Sequence, residues 1–289
     1  MTSKGPTVFR CSHCGITFQA TAPRCPRCLK RTTVEETGLL PAPPPGLDDT
    51  RPGPVLSIEQ PARDAPLSFS TGAERLPRPS ELGCAQARAR CLARFAHHEL
   101  MAVELFAWAL LRWPELPAEL RRAFVRVIAD EQRHCRMYLE RLVAHASTLE
   151  QHPRSDYFWK HAQTIAASPH GPRAFLCAMG LTLEQANLDF AAVYRDAFRA
   201  SGDEDSARVC DAVQRDEVGH VRLAASWLRQ LAPGRSDLEA YTEAVPFPFA
   251  ATRAKGRRFD AEARRRAGLS ADFIEAVRTA RSKPGRTRA

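Results

Sequence analysis

Two short segments carry chemically capable residues at one repeated spacing, Asp130-Glu131-Gln132-Arg133-His134 and Asp216-Glu217-Val218-Gly219-His220. Each contains Glu-x-x-His, and on an α-helix residues three apart share a face, so a carboxylate and an imidazole point at one spot. Each pair also follows another glutamate on the preceding helix. Glu99 lies 32 residues before Glu131, and Glu184 lies 33 before Glu217. Four glutamates and two histidines on two helical hairpins form the ligand set of a carboxylate-bridged di-iron or di-manganese four-helix bundle. Glu131 and Glu217 are best placed to bridge two ions, His134 and His220 to cap one each, and Glu99 and Glu184 to complete the set. Asp130 and Asp216, each one residue before such a glutamate, are placed to hydrogen-bond the imidazoles, and Arg133 to complete that outer layer. Glu104 competes with Glu99 for the first-helix position. It sits off the same stripe and breaks the near-symmetry of the repeat, so Glu99 is preferred.

A second metal-type array lies at the N-terminus, as Cys11-x2-Cys14 and Cys25-x2-Cys28. Two such knuckles suit a tetrathiolate centre, with zinc for a docking module or iron for a one-electron carrier. The short spacing resembles the rubredoxin-like knuckles of rubrerythrins. Gly15 follows the first knuckle, but Leu29 follows the second, where those sites use glycine, and this favours zinc.

The elements that must position these groups read as helices. Leu92, Phe95, Glu99, Ala102, Phe106 and Leu110 recur at helical spacing, so a carboxylate interrupts an apolar stripe. A buried carboxylate without a partner is costly, which calls for a metal or a cation. The first helix is expected from about 81 to 113, the second from 118 to 147, the third from 172 to 200, and the fourth from the Ser201-Gly202-Asp203 turn to Pro233. A crossover after Pro153 carries Tyr157-Phe158-Trp159 and returns the chain along the bundle. The expected layout is a tetra-cysteine module over 1–35, a proline-rich, extended and mobile linker over 36–80, a bundle over 81–235 and a basic extension over 236–289. Residues 41–80 hold ten of the 22 prolines, and two short helical patterns of the extension, about 260–267 and 271–279, are expected on the bundle exterior.

The helices resemble the ferritin-like superfamily, and Asp130-Glu131-x-Arg133-His134 is similar to the Asp-Glu-x-Arg-His motif of bacterial multicomponent monooxygenases. Over about residues 85–280 the chain resembles the bacterial ferritin-like family called domain of unknown function 455. His98-Glu99-Leu100, Ala107-Trp108-Ala109-Leu110, both Asp-Glu-x-x-His motifs, Glu262-Ala263-Arg264 and Ala267-Gly268-Leu269-Ser270 carry that resemblance. It implies an all-α ferritin-like fold with a di-metal site and leaves the substrate open.

The leading expectation is a non-haem di-iron oxidoreductase that activates O2 to oxidise or hydroxylate an organic substrate, with manganese or a mixed Mn/Fe pair as the variant and a reductase supplying electrons. Two alternatives stand beside it, a rubrerythrin-like peroxide reductase with iron at the four cysteines, and a zinc-bearing docking protein for nucleic acid or a protein. Residues 251–289 carry 12 Lys/Arg against 4 Asp/Glu, which suits a polyanion or a solvated surface. RNA as an oxidation substrate fits the resemblance to tRNA-modifying ferritin-like hydroxylases, and a homodimer is a further expectation. Without a membrane-length apolar run or a secretory segment, and with scattered single cysteines, a cytoplasmic location without membrane partners is expected.

Overall fold

The computed structural model describes residues 8–11, 17–19, 34–36, 53–70 and 75–281. The chain divides into two units, Met1–Arg51 and Pro52–Ala289. In the first, strands β1 (Val8–Cys11), β2 (Thr17–Gln19) and β3 (Val34–Glu36) form an antiparallel sheet in the order β2-β1-β3. Cys11 ends β1, while Cys14, Cys25 and Cys28 lie outside the described residues.

Every regular element among the described residues of the second unit is helical. α1 (Ala85–Arg112) stops where Pro114 and Pro117 cannot continue a helix, and α2 (Ala118–Ala144) starts directly after Pro117. The crossover contains a 3₁₀ turn at Trp159–His161 and the short helix α3 (Ala162–Ala166). The third long helix is not uniform. α4 (Pro172–Ala178) passes into a π-helical stretch, Met179–Glu184, and then into α5 (Gln185–Ala200). α6 (Glu204–Leu231) follows, its first turn capped by Asp203, whose carboxylate accepts from Ser206 N at 3.1 Å. α1 packs along α2, α5 along α6, and α2 against α6.

Two apolar clusters fill these helices, and the polar residues lie in a band between them. Along α1, residues up to Ala96 belong to one cluster and residues from Met101 to the other; α6 has the same order, with Ala207 to Val213 before Val218 to Leu228. α2 and α5 have the reverse order, since Val127 and Leu188 belong to the second cluster while Tyr138, Leu142, Tyr194 and Phe198 belong to the first. α1 and α6 therefore run one way, and α2 and α5 the other. Since α2 and α5 are parallel, the chain must cross the full length of the helices between them, and this is the work of residues 145–171.

Two features correct the sequence reading. Residues 53–70 and 75–80 do not form a free linker, because their backbone is tied to the helices. Leu56 N donates to Leu111 O at 3.0 Å, Trp108 Nε1 to Ile58 O at 3.1 Å, and Ser70 N to Arg154 O at 2.9 Å. The C-terminal segment is also not an exterior appendage. α7 (Asp237–Ala244), α8 (Ala261–Arg266) and α9 (Ala271–Thr279) place Tyr241, Ala263, Phe273 and Val277 in the larger core cluster. α7 lies in a stretch that carries no helix in the sequence reading, although its capping box, Ser236 with Glu239, is legible there.

Arg264 of α8 is fully buried and paired twice with the equally buried Asp189 of α5, at 2.8 and 2.9 Å. Its remaining donors reach Gln185 Oε1, Gln185 O, Asp260 O and Ala254 O, so no guanidinium proton is stranded. Removing one partner of such a pair leaves an uncompensated buried charge, which costs about 3–5 kcal/mol. Asp189→Ala is expected to lower unfolding free energy by that amount, read from the midpoint of a denaturant titration.

Candidate metal centre

The four long helices bring six side chains into the band between the apolar clusters. Glu99 comes from α1, Glu131 and His134 from α2, Glu184 from the end of the π-helical stretch, and Glu217 and His220 from α6. They form two overlapping sets of donors, Glu99, Glu131, His134 and Glu217, and Glu131, Glu184, Glu217 and His220, with the donor atoms of each set within 4.8 Å of one another. Glu131 and Glu217 belong to both sets. All six are buried, and Glu131, His134 and Glu217 are inaccessible.

The π-helical turn has visible supports. The Thr182 hydroxyl donates to Cys177 O at 2.7 Å and accepts from the Tyr241 hydroxyl of α7 at 2.8 Å, while Gln185 Nε2 donates to Leu181 O at 2.9 Å. Side chains thus satisfy carbonyls in a stretch where the ordinary helical ladder is broken. Gly180 allows α6 to come close, since a Cβ there would meet Ala224 Cβ at 2.3 Å.

The histidines are oriented from the opposite hairpin. His134 Nε2 lies 3.1 Å from Asp216 Oδ2 on α6, and His220 Nε2 lies 3.4 Å from Asp130 Oδ2 on α2. Arg133 joins the two aspartates, donating to Asp130 Oδ1 at 2.7 Å and Asp216 Oδ2 at 2.8 Å. With each Nε2 turned outward to a carboxylate, each Nδ1 faces the glutamates. His220 Nδ1 lies 3.0 Å from Glu131 Oε1 and 3.1 Å from Glu217 Oε2, and of these two contacts the one with Glu217 has hydrogen-bond geometry. On the other side of the band Asn187 Nδ2 donates to Glu217 Oε1 at 2.7 Å.

Charge in this space is poorly compensated. Burial, reinforced by the neighbouring glutamates, pushes the Glu99 and Glu184 carboxyls well above the usual range. Burial acts on Glu131 the same way, but His134 and His220 outweigh it and hold that carboxyl below its ordinary value. Burial disfavours the His134 cation, yet Asp216 and Glu131 raise its pKa to about 9. Both Glu131 oxygens and His134 Nδ1 are buried without a hydrogen-bond partner. Orphaned lone pairs of carboxylate and imidazole, in sets of four within a few ångströms, fit divalent metal ions with mixed O and N ligands.

The remaining sequence candidates separate cleanly. Glu104 is not brought to the cluster; its carboxylate receives Arg63 Nε and Nη2, both at 2.7 Å, and Trp159 Nε1 at 2.8 Å. The preference for Glu99 rested on its apolar stripe, and Arg63 could not be paired with Glu104 from a segment that read as linker. Cys91, Cys135, Cys177 and Cys210 are free and buried in apolar surroundings, and Cys84 is free and exposed. The sequence does not reveal a cavity on the cluster's open side. A cavity of about 270 Å³ there is walled by Glu99 and Glu184 together with Phe95, His98, Tyr138 and Phe158.

These features define a helical protein with a buried carboxylate–imidazole cluster able to hold metal. The chain belongs to the family described as "Protein of unknown function (DUF455)", whose model matches residues 31–275. Comparison with curated proteins and with solved structures gives no significant match. Among the described residues, no helix is long and apolar enough to cross a membrane.

Two measurements test the geometry. In the metal-free protein burial and the neighbouring glutamates favour the protonated forms of Glu99 and Glu184, and Asp216 and Glu131 favour the His134 cation. Metal binding must displace those protons, so apparent affinity rises with pH from neutrality toward pH 9. Calorimetric titration of Mn²⁺ in buffers of different ionisation enthalpy is expected to show net proton release. Asp216→Ala removes the acceptor that orients His134 and should weaken metal binding about 10- to 100-fold at unchanged helix content, as read by equilibrium dialysis and circular dichroism.

Proposed function

We propose that this chain is a non-haem di-metal oxidoreductase of ferritin-like build that uses O2 to oxidise or hydroxylate an organic substrate. The observation that carries this reading is the pair of donor sets sharing Glu131 and Glu217, with a cavity against their open side. Glu99 and His134 would complete one ion, and Glu184 and His220 the other, with Glu131 and Glu217 common to both. A pair of redox-active ions so held supplies oxygen activation, and the protein supplies position, dryness and proton control. Iron fits this chemistry, and manganese or a mixed pair would occupy the same donors.

The residues around the ions have distinct tasks. Asp130 and Asp216 keep Nδ1 of each imidazole turned toward the glutamates, where it would serve as a ligand, and Arg133 holds the aspartates in place. Phe95, Phe158 and Tyr138 give the cavity a largely apolar wall, which favours a substrate with an unactivated carbon framework. His98 brings a buried Nε2 without a hydrogen-bond partner to the same cavity, stacked near Tyr157 and Phe158. Burial, chiefly, keeps this imidazole neutral, so it can exchange a hydrogen bond with a substrate at little electrostatic cost.

Cys11, Cys14, Cys25 and Cys28 are read as a tetrathiolate centre on the spacing of the two knuckles. Zinc there makes a docking module, and iron a route for electrons. Protein purified from iron-supplemented cells is expected to carry about two irons per chain for the four-glutamate, two-histidine site, with an absorption change on reduction and re-exposure to oxygen. Zinc alone, with an oxygen-insensitive spectrum, would overturn the oxidoreductase reading.

A further inference from the structure

Next to the cavity at the cluster lies a second, larger groove of about 1100 Å³, and the two share Leu76 and Phe190 in their walls. Arg78, Lys255 and Arg257 line the groove, and among the described residues none of them makes an ion pair. Lys255 is held by backbone carbonyls alone, with Nζ donating to Arg278 O at 2.6 Å and Ala280 O at 2.9 Å. Partial burial and the nearby Arg264 push its ammonium group below the ordinary lysine range. Arg278 also lines the groove but is neutralised by Glu275. Among the described residues Asp189 is the one carboxylate in the wall, and it is consumed by Arg264 and by the backbone N–H groups of Gly256 and Asp260. Among its described residues the groove therefore presents three cations without an ion-pair partner and no free carboxylate.

A solvated basic surface does not need a concavity, nor a shared wall with the cavity that holds Glu99 and Glu184. Phe190, 41% exposed, stands at the junction, so an apolar chain leaving the groove passes an aromatic ring on its way inward. Several cations on one concave wall suit a multivalent anion better than a single carboxylate. The groove, about 1100 Å³, slightly exceeds the usual range of small-molecule pockets, about 300–1,000 Å³, while the inner cavity, about 270 Å³, has room for a small group against a largely apolar wall.

We infer that the groove lined by Arg78, Lys255 and Arg257 binds the phosphates of an organic diphosphate or polyphosphate whose apolar part enters the cavity beside Glu99 and Glu184. The inference rests on the oxidoreductase reading for what happens to that apolar part, but not for the binding itself. Phosphate anchoring outside and an apolar reacting group inside would give substrates their register on the site.

The test is calorimetric titration of the full chain with inorganic pyrophosphate, geranyl diphosphate and geraniol. Each titration is made on protein as purified and on protein treated with chelator, and repeated for the double variant Arg78→Ala/Arg257→Ala. Both arginines are exposed, so the variant is expected to fold normally. Geranyl diphosphate is expected to bind more tightly than pyrophosphate or geraniol, with or without metal, and to lose about tenfold or more in the double variant. Phe190→Ala should weaken geranyl diphosphate and leave pyrophosphate unchanged. Diphosphate binding that requires metal and ignores the arginines would overturn the groove while leaving the di-metal reading standing. Arginine-dependent binding in a protein that never takes up redox metal would do the opposite. An RNA oligonucleotide that binds the same arginines far more tightly than geranyl diphosphate would also overturn the inference.

Discussion

Four carboxylates and two imidazoles share a few ångströms of apolar interior, and the structure is arranged around that electrostatic problem. Removing ionised groups from water costs several kcal/mol each after relaxation, so such a cluster persists only with protons, paired charges or metal ions. The protein uses the first two visibly: Glu99 and Glu184 are driven toward the protonated form, while Glu131 stays ionised between two histidines. The orphaned Glu131 oxygens and His134 Nδ1 are what those two devices leave unsatisfied, and a pair of cations would satisfy them.

The same need explains how the hairpins are locked together. Each Asp-Glu-x-x-His segment supplies a histidine to its own helix and an aspartate to the other's histidine, so α2 and α6 are stitched by reciprocal contacts with Arg133 across the seam. The partly exposed aspartates, with carboxyls held below their ordinary range by the histidines and Arg133, keep charge near water while the glutamates hold the interior. A change to either aspartate therefore acts on the donor cluster through the orientation of an imidazole.

Away from the band, the apolar clusters above and below give the helices their rigidity, and peripheral segments close what the long helices leave open. Arg63 from the proline-rich stretch covers Glu104, and α8 drives Arg264 down to Asp189. The π-helical stretch sits where the third helix must deliver Glu184 to the cluster while Gly180 admits α6 closely. π-helical stretches recur within long helices, and this one is held by Thr182, Gln185 and Tyr241.

Local rules made much of this visible in the sequence. Helical spacing placed Glu131 with His134 and Glu217 with His220, the near-equal spacing of Glu99 and Glu184 revealed the repeat, and prolines and caps gave the helix ends. These are properties of residues close in sequence, whose geometry one helix dictates. Tertiary structure decided what depends on residues far apart: that Asp216 serves His134 and Asp130 serves His220, that Glu104 turns to Arg63, and that Arg264 is buried. The π-helical turn belongs to the same group, since it is supported by Tyr241 from a helix 59 residues away. So does the basic groove beside the cavity, assembled from residues near 78, 190 and 255. No periodicity within a helix encodes which distant side chain neutralises a buried charge. That is settled only when packing brings candidates together and the cost of leaving one unpaired selects among them.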